Sequence, residues 1–128
     1  MMHDRRGFTF IEILFAVAIV IPVLLGIIGV TVYSLRVTDS ARMITTAVQD
    51  AHTVIERIRN ISGNGLSQVT ATYPSGQAVA GFNNLTAEQI VVTYPNAAAD
   101  PLAVTVTVTW SDQNRNMSRS LWTQVTRR

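Results

Sequence analysis

The chain contains no cysteine, so neither a disulfide framework nor a thiolate metal site is available to it. That absence does not identify a redox compartment. Lysine is also missing: the ten basic residues are all arginine, set against eight acids for a formal charge of +2. The arginines are scattered, with pairs only at Arg5–Arg6 and Arg127–Arg128, so charge alone draws no nucleic-acid face. Phosphate-binding glycine loops, a nucleophile elbow and His-rich metal spacings do not occur. The two histidines, His3 and His52, are far apart, and no catalytic set or cofactor site emerges around either.

What the chain has in excess is apolar sequence at one end. No charged residue occurs from Ile13 to Leu35. A bilayer core about 30 Å thick needs ~20 helical residues, so this segment is long enough to span. At 128 residues, the rest has room for one small domain with limited burial. A cleaved secretory signal fits poorly, because the apolar run is too long and no small-residue cleavage site follows it. An uncleaved anchor is the plain alternative, with Arg5 and Arg6 holding the short N-terminal end in the cytoplasm and the remainder outside.

A plain anchor leaves Glu12 unexplained. A carboxylate in a spanning helix costs roughly 2.5–3.5 kcal/mol at the bilayer centre, less near the interface, and usually has a partner. Arg5 and Arg6 are too far back along the chain for a well-formed helical pair. Gly7-Phe8-Thr9-Phe10-Ile11-Glu12, after a basic leader and before an apolar span, resembles the processing motif of type IV pilins and type II secretion pseudopilins. The resemblance implies cutting after Gly7 by a prepilin peptidase, removing residues 1–7, His3 among them, and leaving Phe8 as an N-methylated first residue. Thr9 and Glu12 match the family's residues; Phe10 replaces a commoner aliphatic one. In the family the carboxylate matching Glu12 meets the N-terminal ammonium of a neighbouring subunit as helices bundle into a filament. Within one chain that ammonium would stand one helical turn from Glu12, so pairing inside the chain is also open.

The resemblance further implies an α+β, type IV pilin-like fold: a long N-terminal helix, half in the membrane and half amphipathic, packed on a small antiparallel sheet. The expected organisation is a leader over 1–7, a transmembrane assembly helix over 8–33 and a soluble head over 34–128. Pro22 interrupts the apolar run and removes one backbone bond. It reads either as a bend or melted turn fitting the helix to a filament, with Gly26 and Gly29 nearby, or as the ordinary tolerance of proline in membrane helices. Val37, Ala41, Ile44, Val48, Ala51, Ile55 and Ile58 recur at alternating four and three, which predicts one helical stripe ending near Asn60. Arg36, Asp39, Arg42, Asp50, Glu56 and Arg57 fall off it. The small alanines favour packing on a sheet over a coiled-coil seam.

Ser62-Gly63-Asn64-Gly65 stops that helix. A β-sheet is expected between 66 and 126, with strand-like runs at Gln68–Tyr73, Gln77–Phe82 and Gln89–Tyr94. The clearest strand is Leu102–Trp110, whose valines alternate with threonines, followed by a polar loop at Ser111–Asn116 and a last strand around Met117–Thr126. Met117, Leu121 and Val125 share one face of that strand and Trp122 takes the other. Trp122 is then either a subunit contact on an exposed sheet face or buried under the 74–101 loops. This terminal hairpin is similar to that of minor pilins and minor pseudopilins. Asp112-x-Asn114-x-Asn116 resembles the start of a calcium loop but lacks its glycine and distal glutamate, so a polar turn explains it better. Asn60-Ile-Ser62, Asn84-Leu-Thr86 and Asn116-Met-Ser118 match glycosylation sequons, triplets that are common by chance.

The function expected is structural: a minor subunit of a type IV pilus or secretion pseudopilus, without the paired C-terminal cysteines common in major pilins. Its implied partners are the prepilin peptidase, other pilin or pseudopilin subunits and an inner-membrane assembly platform. Its implied location is the inner membrane, N-terminus in the cytoplasm and head in the periplasm. Two other readings stand beside it: a competence pseudopilin whose arginines contact DNA, and a single-span anchored protein.

Overall fold

The structure, a computed structural model, describes residues 9–126. Gly7 and Phe8, with the rest of the expected leader, lie outside the described residues. The protein has an α+β fold: helix α1 (Phe10–Ser62), short helix α2 (Leu66–Thr72) and strands β1 (Gln89–Thr93), β2 (Leu102–Asp112) and β3 (Arg115–Val125). Contacts divide the chain into two units, residues 1–39 and 40–128.

In the first unit, α1 is helical on both sides of Pro22, so no turn is melted there. Its apolar side chains, among them Leu14, Ile19, Leu24 and Ile28, are all exposed. The segment is long and apolar enough to cross a membrane, and none of its most apolar window is buried within the protein.

The second unit is built on an antiparallel three-stranded sheet, ordered β1-β2-β3. Alternation along β2 is complete: Leu102, Val104, Val106, Val108 and Trp110 are buried, and the threonines between them are half-exposed. Strict period two places every valine on one side, the expected behaviour of a sheet covered on a single face. Against that face lie Ala47, Ala51, Val54, Ile55 and Ile58 of α1, joined by Val69, Ile90 and Val92 in one core. Ala47 and Ala51 present small side chains to that face.

Several expectations are corrected. The buried arc of α1 runs through Ala47, Asp50, Ala51, Val54, Ile55, Ile58 and Ser62. Val37 and Ala41 are exposed and Val48 is half-buried, so the true stripe is rotated from the expected one and begins later. A straight helix drifts off a strict seven-residue repeat, and the sheet covers only the last turns. Asp50, expected off the stripe, is buried. Gln68–Tyr73 is not a strand but lies largely in α2, where Leu66, Val69 and Tyr73 recur at helical spacing and Val69 is buried. Gln77–Phe82 forms only an isolated bridge, Ala78 with Val91, beside main-chain bonds from Gly76 to Val92 and from Val79 to Ile90. The Ser111–Asn116 loop shrinks to a two-residue turn in which Gln113 and Asn114 both have positive φ (46° and 66°), the geometry that matches the twist of a hairpin.

Because the buried arc is so narrow, core truncations should separate sharply by position. Ile58→Ala is expected to lower unfolding free energy by about 2–5 kcal/mol, and Val37→Ala to change it by about 0.5 kcal/mol or less. Denaturant unfolding of the full chain in detergent, followed through the buried Trp110, measures both. Equal losses would contradict the observed phase of the helix.

Candidate functional site

Thr9 and Glu12 open α1. The Thr9 carbonyl accepts the first helical bonds, from the N–H groups of Glu12 (3.0 Å) and Ile13 (3.3 Å). Glu12 thus sits in the first turn, at the spacing from Thr9 that defines a capping box. A carboxylate there is favoured by the positive end of the helix dipole whether or not another chain is present. The sequence motif had a second, local reason to hold an acid, which composition did not suggest and the T-x-x-E spacing could have. Pro22 lies further along the same helix, in the exposed apolar segment.

Trp122 belongs to the head, not to this helix. It is 71% exposed, on the side of β3 turned away from the core, paired with Thr105. Burial under the 74–101 loops is therefore excluded. Its face carries Thr105, Thr107 and Thr109 of β2 with Ser118 and Ser120 of β3, and Thr107 and Ser120 share a hydrogen bond of 2.8 Å. A large aromatic among small hydroxylic side chains is the largest apolar group this face presents.

Asp112 does not open a cation loop. It is the buried last residue of β2, and its Oδ2 accepts from Ser40 Oγ at 3.1 Å. Asn114 and Asn116 are exposed at the turn, and His52 is exposed on α1. Among the described residues, no group of three or more His, Cys, Asp or Glu is placed to hold a metal.

One polar cluster escaped sequence reasoning. The Asn84 amide donates to both oxygens of buried Asp50, at 2.9 and 3.0 Å, and Asn84 N–H and Leu85 N–H donate to Glu88 Oε2, at 2.8 and 3.1 Å. Glu88 Oε1 is buried without a hydrogen-bond donor. Burial pushes the Glu88 carboxyl above its ordinary value, the two N–H groups pull it down, and the Asp50 carboxylate pushes it up again. Protonated Oε1–H can donate to Asp50, which satisfies the orphan oxygen. The cluster fastens the segment before β1 to α1. Its signal was the position of Asp50, three residues after Ala47 and four before Val54, inside the arc that the core alanines define. Elsewhere, the Tyr94 hydroxyl donates to the Tyr73 carbonyl at 2.9 Å, and burial, with Tyr73 adding to it, pushes its pKa up to about 12. Arg57 lies over the Phe82 ring, 5.1 Å from its centre.

Glu88 has a raised folded value, so the folded head holds this proton more tightly than the unfolded chain does. Its contribution to stability is complete below the ordinary value of 4.5 and lost as pH rises through the raised one. Glu88→Gln keeps an acceptor for the two N–H groups and turns a permanent donor toward Asp50. The substitution should raise the thermal midpoint near pH 7 and leave it almost unchanged near pH 4; a variant destabilised equally at both values would contradict this. No protein-family model, curated protein or solved structure matches the chain.

Proposed function

We propose that the protein is a minor structural subunit of a type IV pilus or type II secretion pseudopilus. The observation that carries this reading is the order of its N-terminal elements: two arginines, Gly7-Phe8-Thr9-Phe10-Ile11-Glu12, then an apolar helix whose side chains are exposed among the described residues. A prepilin peptidase cuts after Gly7 and methylates Phe8. The chain waits in the inner membrane, N-terminus in the cytoplasm and head in the periplasm, until an assembly platform draws it into a filament beside other pilin or pseudopilin subunits. The α+β fold, with the last turns of the long helix on a small antiparallel sheet, supports the reading because the resemblance led to that architecture.

Physically, the apolar helix suits both states. Lipid covers it in storage and neighbouring helices cover it in the filament, so extraction exchanges one apolar surrounding for another. Glu12 distinguishes the two. In a helical bundle of low dielectric an unpaired carboxylate is costly, and an ammonium at a neighbour's Phe8 offsets that cost. Pro22, Gly26 and Gly29 lie where neighbours would pack; a Cβ at either glycine would meet nothing within 4 Å in the single chain, which leaves room for another helix. Trp122 is the head residue best suited to touch an adjacent subunit, since it combines exposure with a large apolar surface.

Replacing Glu12 tests the reading. Glu12→Gln and Glu12→Val should enter the membrane as the parent does, while their recovery in sheared filaments falls about tenfold or more. Immunoblots of membrane and filament fractions make the measurement, and parental incorporation of both variants would contradict it.

A further inference from the structure

The two edges of the sheet are unlike. The β1 edge is covered, through the Ala78–Val91 bridge and the main-chain bonds of Gly76 and Val79. β3, with eleven residues from Arg115 to Val125, pairs only with β2, and among the described residues its other edge makes no main-chain bond. It contains neither proline nor glycine to interrupt a further pairing. A long open edge is a template for another strand.

Charge restricts which strand can use it. Arg115 and Arg119 are exposed on the core-side face of β3, in register with Asp112 and Val108. Four residues on, Thr123 occupies the same face, and its Oγ1 accepts from the Arg59 guanidinium at 3.1 Å. Cationic groups therefore stand beside the open edge at four-residue intervals, about 13 Å apart along a strand. Asp112 lies opposite Arg115, with one oxygen taken by Ser40, but Arg119 and Arg59 donate only to a main-chain carbonyl and a hydroxyl among the described residues. β3 has no acid of its own, so a second copy offers no carboxylate to the arginine row, and the registers that set Arg115 or Arg119 opposite each other are destabilised. On the opposite face of the same edge, Trp122 offers an apolar surface to a neighbouring side chain.

We infer that the open edge of β3 receives an extended strand from a different polypeptide. This strand carries carboxylates at every fourth residue on its core-side face and an apolar residue beside Trp122 on the other. Main-chain bonds supply the affinity, and the arginine row sets register and disfavours self-pairing. The inference does not rest on processing after Gly7, because the uncut chain presents the same edge.

The test uses the full chain in detergent micelles and a capped peptide of alternating threonine and valine with glutamate at every fourth position. Amide hydrogen exchange in β3 should slow about tenfold with this peptide and stay unchanged with its lysine analogue. Arg119→Glu should weaken the acidic peptide up to about tenfold and favour the lysine one, as an opposite-charge cross-strand pair becomes a like-charge pair. An acidic peptide N-methylated at alternate residues should lose its effect, which tests the backbone pairing independently of any protein variant. Equal protection by the acidic and lysine peptides would overturn the inference. So would β3 protection that grows with protein concentration alone, or an oligonucleotide that binds Arg59 and Arg119 while the acidic peptide does not.

Discussion

Apolar side chains without cover are the constraint on which the remaining features depend. From Phe10 to Leu35, α1 presents Phe, Ile, Leu and Val side chains that are exposed among the described residues. Burying one such side chain is worth about 1.5–3 kcal/mol, so a run of this length left in water would forfeit tens of kcal/mol. Domain stabilities are roughly 5–15 kcal/mol, so the head cannot compensate. A cover of lipid or of like helices would remove that cost without specific side-chain matching, and the segment is long and apolar enough to cross a membrane. On the proposed function, the chain moves from one to the other and needs a means of telling them apart. Glu12, the only charge between Arg6 and Arg36, is the residue suited to that task.

The head is economical in a different way. Its core draws on one face of the sheet and a few turns of α1, with Ala47 and Ala51 beside the larger valines and isoleucines. Polar groups caught at the margins are individually accommodated: Asp112 by Ser40, and Asp50 by Asn84. Buried carboxylates so placed act as fasteners between helix and loops, at the cost of sensitivity to loss of the proton at Glu88. The opposite sheet face, with its threonines, serines and Trp122, contributes little to the core and is left free for contact.

Features set by strong local periodicity were legible in the sequence. The Val-Thr alternation of β2, the outward side of Trp122 and the apolar span all rest on patterns of period two or on length, and each corresponds to an observed element. Segments decided by tertiary context were not. Leu66–Thr72 has β-branched residues that suggest a strand, yet one buried valine and helical spacing decide for α2. The stripe on α1 was found at Ala51, Ile55 and Ile58 but begun too early and centred slightly to one side, since apolar residues at 37 and 41 are equally periodic and only tertiary contact determines which turns the sheet covers. Asp50 was misplaced for the same reason. Its partners, Asn84 and Glu88, lie more than thirty residues away, and no local pattern announces them. At the N-terminus, Thr9 and Glu12 were legible as a motif, while Gly7 and Phe8 lie outside the described residues.

Whether the carboxylate at Glu12 gains a new amine beside it depends on one covalent event. The intact mass of the chain, co-expressed with a prepilin peptidase and purified from membranes, tests that event directly. The account requires the loss of residues 1–7 and the addition of one methyl group at Phe8. A mass that retains Met1 through Gly7 under conditions where a known substrate of the same peptidase is fully cut would contradict it, and would leave Glu12 with only its local place in the first turn of α1.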